Sequence, residues 1–110
     1  MEWDATLGGM LKHGSNVRRS CKVCNAWAPV DVQAMIARHG PAFSLWDFYE
    51  DCPDCPDGLT LYHAQPGGST PFRPLSRYLV VRGLDGWEFW PLFPSIPPYS
   101  HGINQVHLRR

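Results

Sequence analysis

Val32, Met35, Ile36 and His39 recur at i, i+3, i+4 and i+7, the stripe that one face of a helix presents to a core. Asp31 stands where an N-cap belongs, and Gly40-Pro41 supplies both stop signals, so a helix is predicted between them. Upstream, Ala5 to Lys12 reads as a short helix interrupted by Gly8-Gly9, followed by a turn at His13-Gly14-Ser15-Asn16. Val17 to Cys21 and Ala26 to Val30 have strand character and flank a tight turn. Leu45, Phe48 and Tyr49 share one side of a second short helix expected from Leu45 to about Glu50, with Ser44 and Asp47 as a variant capping box. Leu59 to Ala64 alternates as a strand and leads into a Pro/Gly-rich loop from Gln65 to Pro74. Arg77 to Arg82 and Trp87 to Trp90 pair as a hairpin about Leu84-Asp85-Gly86. The run Pro91 to Pro98 is expected to be extended and polyproline-like.

The chemistry is concentrated in Cys21-Lys22-Val23-Cys24 and Cys52-Pro53-Asp54-Cys55, two C-x-x-C pairs that use every cysteine of the chain. Each pair can aim two thiolates at one point, and two pairs can close a tetrahedron around Zn²⁺. The 27 residues between the pairs exceed the usual spacing. A strand and one or two helices account for the excess. Asn25, directly after Cys24, tolerates the left-handed conformation that such a turn needs. Pro56 after Cys55 cannot adopt it, so the second reversal is expected at Asp57-Gly58. Four sulfurs leave no open coordination position, which argues for a structural ion and against catalysis at the metal. Thiol redox chemistry would want one pair at a helix N-terminus beside a βαβ unit, and these pairs lie on turns.

Length and composition narrow the picture. A chain of 110 residues forms one domain, with 11 prolines and 10 glycines limiting its regular structure. A metal crosslink compensates, since structural zinc contributes about 10–16 kcal/mol to folding. Formal net charge is zero, which weakens a nucleic-acid reading, although Arg18, Arg19 and Lys22 run into the first knuckle with Trp27 available for stacking. These four are the candidate nucleic-acid contacts. Five Trp, five Phe and four Tyr give more aromatic area than a small core needs. Trp87, Trp90, Phe93 and Ile96 are therefore candidate protein contacts. His101, Asn104 and His107 lie too close together in the tail to assemble a nuclease centre, and no catalytic triad or phosphate loop is present. No apolar run reaches membrane-spanning length and the N-terminus lacks signal-peptide order, so a reducing cytoplasm is expected.

With the two knuckles, the intervening helix and the segment Gly40-Pro41-Ala42-Phe43-Ser44-Leu45-Trp46-Asp47, the chain resembles small, mostly uncharacterised zinc-ribbon-like proteins of bacteria. The resemblance covers about residues 17–58. It implies a zinc-ribbon-like fold and Cys21, Cys24, Cys52 and Cys55 as ligands of one Zn²⁺ per chain, and no settled activity. Pro56 departs from the glycine usual after the last cysteine.

The expectation is thus an α+β protein of one domain, residues 1–110, cytoplasmic and of bacterial or phage origin. Residues 17–64 form a zinc-ribbon-like core with an inserted helix, and residues 75–110 a β-hairpin and an extended Pro-rich segment. Its role is that of a non-enzymatic protein-interaction or assembly module, binding another protein or itself. A regulatory nucleic-acid-binding ribbon is the alternative. No membrane partner is expected.

Overall fold

A computed structural model describes residues 2–84 and 86–96. Helices and antiparallel strands combine in an α+β arrangement, as the periodicities predict. Two short helices, α1 (Glu2–Ala5) and α2 (Leu7–Lys12), open the chain. The break falls at Thr6, whose hydroxyl accepts from Gly9 N at 3.0 Å and caps α2, so the helix runs through Gly8-Gly9 and is not interrupted there. Gly8 has a packing reason: a Cβ on it would lie 3.1 Å from the Pro41 carbonyl oxygen, which accepts from Gly8 N.

Strands β1 (Asn16–Cys21) and β2 (Trp27–Pro29) follow, then α3 (Val32–His39). Helix α3 begins where Asp31 accepts from Ala34 N and ends at Gly40, whose φ of 89° suits glycine. Strands β3 (Glu50–Asp51), β4 (Leu59–Gln65) and β5 (Arg73–Pro74) complete a sheet of order β2-β1-β4-β3, with β5 pairing β4 beyond β3. A separate two-stranded sheet joins β6 (Tyr78–Gly83) to β7 (Gly86–Pro91), with Gly83 opposite Gly86.

Side-chain alternation divides the large sheet into two faces. Val17, Tyr62 and Ala64 point toward the helices and join Leu7, Met10, Met35 and Phe48 in the principal core. Leu59 and Leu61 point the other way and meet the hairpin through Tyr49 and Val80, with Trp87 and Phe89 against them. Strand β4 is therefore covered on both faces, and only His63 among its residues is not fully buried.

Two further expectations fail. Residues 45–50 form no helix: Asp47 adopts φ 57°, and its buried carboxylate accepts from Arg77 N at 2.7 Å and Arg77 Nε at 2.6 Å. That long-range anchor, together with Tyr49 Oη at 2.5 Å from Ser76 Oγ, outweighs the local capping pattern. The segment after β7 is also not extended through residue 96. Ile96 N donates to Phe93 O at 3.1 Å, a turn for which Pro94 presets φ. The remainder of the predicted polyproline run, and His101, Asn104 and His107, lie outside the described residues.

Candidate metal centre

Cys21 is the last residue of β1, and Thr60 of β4 stands opposite it. The pairing brings the turn after β1 and the turn before β4 to the same end of the sheet. There the four Sγ atoms of Cys21, Cys24, Cys52 and Cys55 lie within 4.8 Å of one another. Cys21 and Cys55 are 3.5 Å apart and Cys24 and Cys52 3.9 Å, so all four are free thiols. A tetrahedral thiolate ion with metal–sulfur bonds near 2.3 Å has sulfurs about 3.8 Å apart. Those two separations are close to that spacing and the others stay within 4.8 Å, so the four cysteines could hold one metal ion.

The knuckles are preorganised by backbone. Val23 N and Cys24 N approach Cys21 Sγ at 3.3 and 3.4 Å, and Asp54 N approaches Cys52 Sγ at 3.3 Å. Asn25 takes φ 57° while its N–H donates to Cys21 O, the left-handed exit that its residue type permits. Lys22 N donates to Leu59 O, which ties the first turn to β4. The second turn closes through Cys52 N donating to Gly58 O and Gly58 N approaching Cys55 O. Gly58 completes this reversal without positive φ, and its role is spatial. A Cβ there would fall 2.4 Å from Cys55 Sγ and 2.5 Å from Cys21 Sγ. Only glycine leaves the sulfurs room.

The electrostatics also favour a cation. Burial opposes ionisation of Cys21, yet the N–H groups of Cys24 and Val23 outweigh it and bring its thiol down to about 6. Desolvation and the neighbouring Cys21, Cys24 and Cys52 sulfurs push Cys55 up to about 12. One proton leaves readily, whereas successive ones are held back by the charge already present. A divalent ion removes that conflict.

The remaining candidate residues do not all share one surface. Arg18 and Arg19 are neighbours on a strand and project to opposite faces: Arg18 lies over the Phe72 ring at 4.1 Å, and Arg19 lines the helix-side cleft with Arg38 and Glu50. Lys22 is exposed on the first knuckle, and Trp27 stands 4.7 Å from the His63 ring. In the hairpin, Trp87 turns inward against the second core cluster with Arg82 over its ring, so it is not part of an outward surface. Trp90 and Phe93 are exposed, and Ile96 is half-buried. Leu79, directly opposite Trp90, and Leu92 are exposed as well. Sequence reading missed both because a strand's outward face is known only once its partner is. No helix among the described residues is long and apolar enough to cross a membrane. No family model, curated protein or solved structure matches the chain.

Proposed function

We propose that the protein is a zinc-organised, non-catalytic assembly module that associates with a second copy of itself through the outer face of the β6–β7 hairpin. The metal reading is supported by four cysteine sulfurs gathered within 4.8 Å of one another, a donor set that suits Zn²⁺ as a structural ion. Two knuckles on antiparallel strands at one end of a sheet also agree with the zinc-ribbon-like resemblance over residues 17–58. The ion would supply a crosslink between the β1 and β3–β4 turns, and the fold hangs on it.

The observation that carries the assembly reading is the cross-strand pair Leu79–Trp90, 52% and 57% exposed, continued by Leu92 and Phe93. Apolar residues clustered in this way on a small protein mark a contact site. Within the described residues each hairpin strand pairs only with the other, so the outer edges are open to antiparallel pairing with an identical hairpin. Such a contact is isologous and closes as a dimer. Sedimentation of the metal-loaded protein over a concentration series should show a monomer–dimer equilibrium, which Trp90→Ala weakens at least about tenfold. A monomer at every concentration, or a dimer indifferent to both Trp90→Ala and Phe93→Ala, overturns the reading.

A further inference from the structure

A second surface has different chemistry. On the sheet face away from the helices, strand register sets Arg18 opposite Pro29 and His63, and Ser20 opposite Trp27. The hairpin packs on this face at its Leu59–Leu61 end and forms one wall of a hollow beside Trp27 and His63. What remains open carries Arg18, Ser20, Trp27 and His63, with Phe72 beneath the Arg18 guanidinium. Trp27 is 54% exposed, and its ring packs against His63 at an interplanar angle of 44°. Ser20 Oγ lies 2.9 Å from His63 Nε2 and fixes the imidazole plane. Burial lowers the His63 pKa and so favours the neutral ring, which offers a flat π-face.

Two hollows occupy the same face. One, of about 380 Å³, is lined by Lys22, Asn25, Trp27, His63 and Leu92 among others. The other, of about 490 Å³, is lined by Asn16, Arg18, Gln65, Gly68 and Phe72. Neither contains a carboxylate. Asp31, Glu50 and Asp51 line a cleft on the helix side of the sheet instead. The helix-side cleft thus pairs its carboxylates with Arg19 and Arg38, whereas the two hollows on the opposite face hold cations and rings without carboxylates. Among the described residues neither Arg18 nor Lys22 is held in an ion pair.

We propose that this face binds single-stranded nucleic acid, with bases stacking on Trp27 and His63 and phosphates held by Arg18 and Lys22. Exposed rings between cations are what an unpaired strand requires, because each base offers a π-face and each linkage a charge. A duplex hides its base faces, and the helices of the described residues pack on the opposite face of the sheet, where none can enter a groove from this surface. Two neutralised phosphates imply a shallow salt dependence, a slope of about −1.4 in log K against log salt for a single strand. The site borders the hairpin contact at Leu79 and Leu92, whereas Trp90 and Phe93 do not line it, and neither proposal needs the other.

The test is fluorescence anisotropy of labelled mixed-sequence 12-mers, as single-stranded DNA, single-stranded RNA and duplex DNA, titrated with metal-loaded full-length protein between low and moderate salt. Expected is tighter binding of one or both single strands than of the duplex. Their difference tells whether ribose or deoxyribose is preferred. Trp27→Ala should weaken binding about tenfold, and Arg18→Ala should reduce the salt slope by about 0.7. Both side chains are exposed, so metal content and melting temperature should stay at wild-type values. Trp90→Ala should leave affinity unchanged, which separates this site from the assembly surface. Absence of salt-dependent binding, equal affinity for duplex, or indifference to Trp27→Ala overturns the proposal.

Discussion

At the scale of single residues, glycine positions show how differently one amino acid can be used. Gly14 and Gly58 are both in turns, yet Gly14 has φ 65° with nothing within 4 Å of where a Cβ would stand, whereas Gly58 lacks positive φ and sits against two of the clustered cysteine sulfurs. Gly14→Ala should therefore cost only backbone strain of about 1 kcal/mol and leave the metal content intact. Gly58→Ala should drive a methyl into the sulfur cluster, cost about 3 kcal/mol or more, and lower the bound metal well below one per chain. Metal analysis beside thermal denaturation of the two variants checks this, and a fully loaded, stable Gly58→Ala protein would refute the closeness of the cluster. In sequence Gly58 reads as a turn residue. Its steric role emerges only when Cys21, distant along the chain, arrives beside it. Asp47 teaches the same lesson, since it reads as a capping residue and serves as the buried acceptor for Arg77.

Among elements, those defined by local rules came out as expected. Helix α3 runs from the Asp31 cap to Gly40, and the hairpin strands match their alternation. The hairpin depends on Gly86, at φ 129°, a conformation valine adopts only with strain. Gly86→Val should destabilise by about 1–3 kcal/mol and loosen Phe89 from Tyr49, which now lie 4.9 Å apart between ring centres. Hydrogen exchange should locate the faster opening in β6 and β7, with β1 and β4 retaining their protection. Equal protection in the hairpin would show that the turn tolerates the substitution. The 45–50 segment went otherwise because its partners lie in residues 75–77, and a window-by-window reading cannot see them.

For the whole molecule the sharpest prediction concerns the proposed metal. A structural zinc site contributes about 10–16 kcal/mol of apparent binding free energy, while domains of this size retain only about 5–15 kcal/mol in total. Removing the ion with excess chelator should then unfold the chain, with loss of far-ultraviolet sheet signal that equimolar Zn²⁺ restores. Cys52→Ser should melt far below the wild type even with zinc supplied, because the other three sulfurs hold the ion weakly. Melting curves unchanged by chelator and by Cys52→Ser would show that packing alone sustains the fold. The amino-acid order by itself determined the two knuckles, helix α3, the hairpin and the α+β class, because C-x-x-C spacing, caps and side-chain periodicity act within a few residues. Only the tertiary structure decided that β1 and β4 bring the four sulfurs together, that Arg18 and Arg19 part to opposite faces, and that Trp87 turns in while Trp90 turns out. Those outcomes depend on which strand pairs with which, and pairing is settled by burial summed over the whole chain.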